Sequence, residues 1–171
     1  MISIQKATPA DALLISDLGA KTFIESHGNS APSRDIDYYV SRTYSLKTVE
    51  EELSAPENIF HVIYYKGQAV GFSKIIFNST HPLLESFTVT KLERLYLVKE
   101  FYGLKLGLTL FELIMQLSKK ENQTGIWLYV WTQNQRALTF YKTCGFSIFG
   151  HADFKLSETH SNPNHLMYLK Y

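Results

Sequence analysis

The sequence predicts an α+β fold, in which a mixed and mostly antiparallel sheet carries helices on both faces. The first observation is the order of the hydrophobic patterns, which reads strand, helices, three strands, helix, strand, helix and two strands. The second is a glycine-containing turn that joins a strand to a long helix near residues 99–107. The third is that no linker, repeat or low-complexity tract interrupts the 171 residues, which indicates one domain over 1–171.

Composition excludes several classes of function. Seventeen basic and sixteen acidic side chains give a net charge of +1, so no excess charge favours nucleic acid or a membrane surface. The single Cys144 excludes an intramolecular disulfide and fits a reducing compartment. Residues 1–6 alternate like a strand and lack the apolar core of a signal peptide, and no apolar run reaches the ~20 residues of a membrane span. We therefore expect a cytoplasmic, soluble protein.

The first third of the chain is read mainly from helix-capping signals. Thr8 followed by Pro9 is typical of a helix start, and His27-Gly28-Asn29 of a helix end. Thr48-Val49-Glu50-Glu51 has the spacing of a capping box. The predicted elements are a strand through Ile2 and Ile4, a helix from Thr8 to about Ser26, a mobile helical segment over 29–47, and a short helix from Thr48 to about Ser54.

The rest of the chain alternates strands with two helices. Lys66-Gly67 joins two apolar runs as a tight hairpin connection. The long helix should present Leu104, Leu108, Phe111 and Met115 on one face, and Gly145 should close the last helix. The predicted elements are strands over 59–65 and 68–77, a long bulged strand over 85–98, a helix from Gly103 to about Lys120, a strand over 126–131, a helix over 134–143, and strands over 146–156 and 164–171.

Residues 93–108 read as the end of a strand, a short turn and the opening of a helix. Gly103 and Gly107 lie four residues apart where the helical pattern begins. The first N–H groups of a helix have no partner within the helix, and the helix dipole adds partial positive charge there. Glycine lets a ligand approach the backbone closely. The stretch therefore predicts a phosphate site, with turn formation and helix packing as the alternative roles of the two glycines.

A second motif begins about thirty residues later, Asn134-x-x-Ala-x-x-Phe-Tyr-x-x-x-Gly-Phe146. Together with the glycine-containing turn it resembles the GNAT superfamily of acetyl-CoA-dependent N-acetyltransferases, and the order of elements agrees along nearly the whole chain. Within that superfamily the chain is most similar to PaiA-type polyamine (spermidine/spermine) acetyltransferases. That narrower resemblance rests on residues 22–23, 60–65, 92–97 and 126–131.

The resemblance implies acetyl-CoA as co-substrate, with its pyrophosphate on the turn and its pantetheine arm hydrogen-bonded along Leu97 and Val98 like an added strand. Tyr102 takes the usual Gln/Arg place of the family's loop and Lys105 the place of its first Gly. The loop binds mainly through backbone N–H groups, and Lys105 could add a positive charge. The implied cofactor-binding residues are Leu95, Leu97, Val98, Tyr102, Gly103, Leu104, Lys105, Leu106, Gly107, Leu108, Asn134, Ala137 and Lys142.

Two residues are implied in catalysis. Tyr141 would protonate the departing CoA thiolate, and the alternative is an aromatic residue of the core. Glu93 shares strand parity with Leu95 and Leu97, so its carboxylate should face apolar neighbours. It would then be either a structural partner of an Arg or Lys, or a general base whose pKa burial raises. A backbone N–H near Leu97 would stabilise the oxyanion.

Other polar residues have simpler interpretations. Asn134 is expected to cap the last helix and could also bind the cofactor. Cys144 is expected to be an apolar filler, and the six histidines show no spacing typical of metal ligands, so the sequence predicts no metal site. His27, Asp35 and Asp37 fall where the acceptor should bind. Solvation of a loop and contact with a cationic polyamine are both open for them.

The predicted function is acetyl transfer from acetyl-CoA to a primary amine, most simply a polyamine such as spermidine or spermine. Two alternatives stay open: an acetyltransferase for a protein N-terminus or an amino-sugar, and a non-catalytic module that senses acyl-CoA. The acceptor should bind within residues 27–58 and the closing strands, which carry the least pattern. The oligomeric state, monomer or homodimer, is not readable from the sequence.

Overall fold

A computed structural model of the protein describes residues 1–86 and 88–171. Its seven strands form one sheet and are β1 (Ile2–Lys6), β2 (Ile59–Tyr65), β3 (Gln68–Ile76), β4 (Thr90–Leu97), β5 (Gly125–Trp131), β6 (Ser147–Lys155) and β7 (Ser161–Lys170). They lie in the order β1-β2-β3-β4-β5-β7-β6. Every neighbouring pair is antiparallel except β4 and β5, which are parallel. The mixed, mostly antiparallel sheet is therefore confirmed.

Helices cover both faces of this sheet, as predicted. They are α1 (Ala12–His27), α2 (Ser33–Thr43), α3 (Leu46–Ser54), α4 (Leu106–Lys120) and α5 (Gln135–Thr143). Buried side chains of α1–α3 pack with Phe60, Val62 and Phe72 on one face, whereas those of α4 and α5 pack with Ile63 and Leu128 on the other. Among the described residues no helix is both long and apolar enough to cross a bilayer.

Strands β4 and β5 pair over only two positions and then separate. Thr90 lies opposite Ile126 and Lys91 opposite Trp127, and no later pair follows within the described residues. Parallel strands are usually joined by a crossover helix, and here α4 supplies it. The separation leaves one edge of β4 open toward β5 in the middle of the sheet.

The third strand of the meander is shorter than predicted. β4 begins at Thr90, not at residue 85, and the predicted segment includes Phe87, which lies outside the described residues. The predicted bulge is present: Lys74 faces Arg94 and Ile75 faces Leu92, so Glu93 is the extra residue. A bulge reverses the alternation of side chains around it, and the parity assigned to Glu93 from Leu95 is therefore wrong.

The helix after the turn begins later than predicted and buries a partly different face. Lys105 takes a left-handed conformation (φ 58°), so regular helix starts only at Leu106. Leu104 and Leu108 are 44% and 39% exposed, and this half of the predicted face is wrong. Phe111 is buried as predicted. The row that faces the core consists of Leu106, Leu110, Phe111 and Ile114.

Two shorter predictions also need correction. The cap of α3 is Ser45, whose Oγ accepts from the Thr48 N–H at 3.2 Å, so this helix begins one turn before the predicted Thr48. β7 begins at Ser161 and not at Asn164. The strand includes Pro163, whose carbonyl accepts from the Thr132 N–H at 3.0 Å. A proline can stand in a strand where no ladder hydrogen bond needs its nitrogen.

The segment 29–47, predicted as mobile and helical, contains α2. Hydrogen bonds hold this segment to the β6–β7 connection and the start of β7. Asp35 is 4% exposed and accepts hydrogen bonds from the Ser157 and Thr159 hydroxyls. Asn162 donates to Ser30 Oγ at 2.7 Å. The helix is confirmed, and these bonds fix it against the far end of the sheet.

Candidate active site

The gap between β4 and β5 opens into a cleft of about 580 Å³ that passes from one face of the sheet to the other. On the face of α4 and α5, which we name the α5 side, it is lined by residues that include Leu95, Leu97, Gly107, Asn134 and Tyr141. On the face of α1 and α2, the α1 side, it is lined by residues that include His27, Tyr39, Tyr96, Trp131 and Phe154. Two ligands could therefore meet in it from opposite faces.

The open edge of β4 presents backbone groups to this cleft. The Val98 N–H donates to the Val70 carbonyl at 2.9 Å, so it is bound to β3 and is not available to a ligand. Backbone groups of successive strand residues point to alternate sides. Leu95 and Leu97 consequently direct their N–H and carbonyl groups away from β3, toward the cleft.

The turn before α4 carries a run of backbone donors without acceptors. In the described part of the chain, the N–H groups of residues 103–108 donate to no protein group, and the first bond into α4 runs from Thr109 N–H to the Lys105 carbonyl at 3.0 Å. Gly103 has φ 85° and Lys105 has φ 58°. Such left-handed turns gather successive N–H groups into a concave anion site at a helix N-terminus.

Arg136 is a residue of this region that the sequence analysis did not identify. Its guanidinium lies 3.6 Å from the centre of the Tyr102 ring, a close cation–π contact. It lines both the main cleft and an adjoining cavity of about 280 Å³, beside Gly103, Lys105 and Gly107. Tyr102, which stands where the family's loop usually has Gln or Arg, thus holds an arginine from α5 against its ring. The signal was the position of Arg136 two residues after Asn134, within the second motif.

Helix α5 fixes the geometry of the second motif. The Asn134 side chain accepts from the Ala137 N–H at 3.1 Å, so its predicted capping role is confirmed. At the other end Gly145 has φ 98°, and the Phe146 N–H donates to the Tyr141 carbonyl at 3.0 Å. This is the Schellman ending of a helix. The glycine predicted to close the helix is confirmed as well.

Tyr141 lies on the face of α5 that lines the cleft and is 8% exposed. Its ring packs against Phe140 and Phe146, with centroids 5.2 and 5.3 Å away. Burial, with a smaller contribution from Cys144, raises the pKa of Tyr141 well above its usual range. The hydroxyl is therefore protonated throughout the neutral range and can act as a donor.

Glu93 belongs to a buried network of ionic side chains on the α1 side. Its carboxylate lies 3.3 Å from Lys74 Nζ, which lies 3.4 Å from Glu52. Glu52 also accepts two hydrogen bonds from Arg94, at 2.6 and 3.0 Å. The structural ion pair considered for Glu93 is therefore present.

The charges of this network set the ionisation of Glu93. Burial is the largest influence and acts to raise the pKa, but the charges of Lys74, Lys91 and Arg94 together outweigh it and hold the pKa below the usual value. The expectation of a raised pKa for Glu93 is therefore wrong, because neighbouring cations outweigh the effect of burial. Glu93 is a carboxylate at every physiological pH.

Aromatic rings form most of the α1-side wall. His27 stacks on Phe23 with ring centres 4.7 Å apart and lies 5.7 Å from Trp131. Burial lowers the pKa of His27 to about 4, so the imidazole is neutral at physiological pH. Of the two aspartates expected beside the acceptor, Asp35 is bound to the β6–β7 connection and Asp37 does not line the cleft.

Not every predicted cofactor residue reaches the cleft or the adjoining cavity. Val98, Leu104 and Lys142 line neither of them. Lys142 is exposed on α5. The other ten predicted cofactor-binding residues line one or both spaces, and they are Leu95, Leu97, Tyr102, Gly103, Lys105, Leu106, Gly107, Leu108, Asn134 and Ala137.

Known proteins resemble this chain in sequence and in fold. Residues 23–146 match the model of the Acetyltransferase (GNAT) family. An uncharacterised N-acetyltransferase of the pepI 3′ region of Lactobacillus delbrueckii subsp. lactis is 24% identical over 141 residues, which cover 82% of each chain. The fold is similar to that of the PaiA N-acetyltransferase of Thermoplasma acidophilum, solved in complex with coenzyme A, with a TM-score of 0.81 and 21% identity over 100% of this chain and 99% of that one. A GCN5-related N-acetyltransferase of Rhodopseudomonas palustris superimposes with a TM-score of 0.80 at 14% identity over 99% and 95% of the two chains. Since the family model covers most of the sequence, the chain belongs to the GNAT family of acetyltransferases.

Proposed function

We propose that the protein transfers the acetyl group of acetyl-CoA to a small primary amine in the cleft between β4 and β5. The observation that carries the proposal is that three features lie around the cleft and the adjoining cavity, two spaces that share Leu97 and Gly107 as lining residues. These features are the free N–H groups of residues 103–108, the open edge of β4, and Tyr141. The first suits a diphosphate, the second an extended amide-containing arm, and the third a leaving group that needs a proton.

Acetyl-CoA fits the residues of the α5 side. Its pyrophosphate would accept from the N–H groups at the start of α4, with Arg136 as the nearest guanidinium and Lys105 as a second positive charge. Its pantetheine arm would hydrogen-bond to the backbone of Leu95 and Leu97 as an added strand. Bound there, acetyl-CoA supplies an acyl group activated as a thioester.

The protein's part in the reaction is to position the amine and to manage charge. The amine nitrogen attacks the thioester carbonyl, the C–N bond forms, and the C–S bond then breaks. A Leu97 N–H directed into the cleft would stabilise negative charge on the carbonyl oxygen. An acceptor that arrives as an ammonium first loses one proton to solvent, since only the neutral amine can attack. Tyr141 would then give its proton to the departing sulfur, and the second proton that the nitrogen loses after attack would restore the tyrosine hydroxyl.

For Glu93 we propose binding and relay of the ammonium proton through water. A carboxylate with a lowered pKa is a weak base, but it attracts the protonated amine and can pass a proton on. Replacing Glu93 by Gln should lower kcat/KM roughly 10- to 100-fold for an acceptor whose amine has a high pKa. The loss should be much smaller for an acceptor whose amine has a pKa near 7, since that amine arrives unprotonated. Equal losses for both acceptors would mean that Glu93 acts neither on the ammonium charge nor on its proton.

Some observations support a polyamine as the acceptor, and one observation opposes it. The aromatic walls could contact ammonium groups by cation–π interaction, and the chain has the fold of PaiA. Against it, Asp35 and Asp37 do not line the cleft, so the polyamine contact left open for them is not made there and further ammonium groups would lack these two carboxylates.

The test is release of the CoA thiol from acetyl-CoA in the presence of spermidine, a monoamine, an N-terminal peptide and an aminoglycoside. We expect turnover with at least one small amine. Tight binding of acetyl-CoA without turnover on any amine would instead favour the acyl-CoA-sensing module.

Replacing Arg136 by Met tests the cofactor half separately. We expect the Kd for acetyl-CoA, measured by calorimetry, to rise roughly tenfold because a charge-assisted bond to phosphate is lost. Arg42→Met is the matched control, since Arg42 also stacks on a tyrosine, Tyr38, at 5.1 Å but lies outside the cleft. If the two variants bind acetyl-CoA equally well, Arg136 does not contact the phosphates.

A further inference from the structure

The α1 side of the cleft carries an excess of positive charge. Lys91, Glu93 and Arg94 line it, and Lys74 and Glu52 are joined to Glu93 and Arg94 by ion pairs outside the cleft wall, so the group holds three cations and two carboxylates. His27 is neutral at physiological pH. Glu25 and Lys99 also line the cleft, at the end next to Tyr102, where the Glu25 carboxylate accepts from the Lys99 N–H at 2.7 Å, and their opposite charges leave the excess unchanged. A ligand with several positive charges therefore meets net repulsion on this side.

The excess charge resides on Lys91. Lys74 contacts both carboxylates and Arg94 is paired with Glu52, whereas Lys91 Nζ lies within 4 Å of no carboxylate in the part of the chain that the structure describes. Two aromatic faces hold its ammonium instead, 5.5 Å from the Trp127 ring and 5.6 Å from the Tyr129 ring. The side chain is thus fixed in place without being neutralised.

We infer that Lys91 is a specificity-determining residue and that the acceptor is a primary amine that carries an anionic group on a flat or apolar body. This inference rests on the proposed acetyl transfer. Glu93 would attract the ammonium end and Lys91 the anionic end, with the aromatic walls along the body between them. Positions 91 and 93 are near neighbours along β4, so the two charged ends of the acceptor should be joined by a short spacer, such as a five-carbon chain or a para-substituted benzene.

The chemistry of recognition follows from charge pairing. An amine with a carboxylate at its far end pairs with both fixed charges, a neutral amine with one, and a diamine places its second ammonium beside Lys91. Interactions of this kind, partly exposed to solvent, change affinity by roughly five- to tenfold. The order of preference should therefore be carboxylate, neutral, diamine.

Two matched series of acceptors test the inference. The first is 5-aminopentanoate, pentylamine and 1,5-diaminopentane, and the second is 4-(aminomethyl)benzoate, benzylamine and 4-(aminomethyl)benzylamine. For the native protein we expect kcat/KM to be highest for the carboxylate in each series. Lys91→Met, which keeps the apolar stem, should remove the difference between carboxylate and neutral amine. Lys91→Glu should reverse the order and make the diamine the best acceptor.

Controls separate specificity from damage to the fold. Lys119→Glu is the matched control, because Lys119 also lies over an aromatic ring, Tyr171, at 4.9 Å but outside the cleft, and it should leave the order unchanged. The melting temperature of each variant reports folding. A native protein that prefers the diamines, or an order unaffected by Lys91→Glu, would overturn the inference.

A binding measurement distinguishes failure of this inference from failure of the proposed function. Calorimetric titration of 4-(aminomethyl)benzoate into the CoA-saturated protein should give a Kd that Lys91→Glu weakens roughly tenfold. Lys91-dependent binding without turnover would uphold the recognition and refute acetyl transfer. Turnover of other amines without any binding of the carboxylate series would uphold acetyl transfer and refute the recognition by Lys91.

Discussion

Tyr141→Phe should lower kcat about 10²–10⁴-fold, which is the usual contribution of a general acid. Tyr141 lies on the wall of the cleft, and phenylalanine keeps the ring that packs against Phe140 and Phe146, so the change removes a donor and little else. Binding of acetyl-CoA and the free energy of unfolding should stay nearly the same. Steady-state kinetics and calorimetry on the same preparation measure both quantities.

Tyr129→Phe is the matched control for this prediction. It also removes a phenol hydroxyl from the cleft, but on the α1 side and away from α5. We expect it to change kcat by less than about threefold, because no proton transfer to sulfur is assigned to it. A rate unchanged in Tyr141→Phe, or equal losses in the two variants, would remove Tyr141 from the mechanism.

The predicted fold agreed with the structure because the signals for it are local. Alternating apolar residues, the Lys66-Gly67 turn and the Gly145 ending each specify their element through a few neighbouring residues. The errors concern features that depend on distant partners. The bulge at Glu93 exists because β3 pairs with β4 in one register, and no pattern within β4 alone identifies which residue is displaced.

The features of the candidate site likewise fall into those that local sequence predicts and those that depend on distant partners. The donors of residues 103–108 and the face of α5 could be predicted, since both follow from position within a helix. The pKa of Glu93 could not, because it depends on the charge of Lys74 from β3, which comes beside Glu93 only in the folded chain. The role of Arg136 depends likewise on its contact with Tyr102 across two elements.

Glu52→Gln should lower the free energy of unfolding by about 3 kcal/mol. Glu52 neutralises Arg94 and Lys74, whose side chains are only 7% and 5% exposed, and loss of one member of a buried ion pair leaves an uncompensated charge. The Glu52 side chain is itself 21% exposed, so solvent screens part of the effect and the value falls at the low end of such losses. Urea unfolding at neutral pH measures the difference.

Glu51→Gln is the control for this change, since Glu51 lies next to Glu52 on α3, is 67% exposed and is 4.0 Å from Lys47. It should cost no more than about 0.5 kcal/mol. If Glu52→Gln costs no more than that, the network does not stabilise the fold. Adding Arg94→Met to Glu52→Gln should recover part of the loss, because it removes the cation left without a partner.

The same network links stability to activity, and the link can be tested. Lys74 contacts both Glu52 and Glu93, so Glu52→Gln disturbs the wall of the cleft and should lower stability and kcat/KM together. In Glu93→Gln, Lys74 and Arg94 still have Glu52 as their ion-pair partner. We therefore expect most of the stability to remain while kcat/KM falls. The two variants would then distinguish the roles of two carboxylates that share Lys74. Glu52 would stabilise the fold around the site, and Glu93 would take part in the reaction.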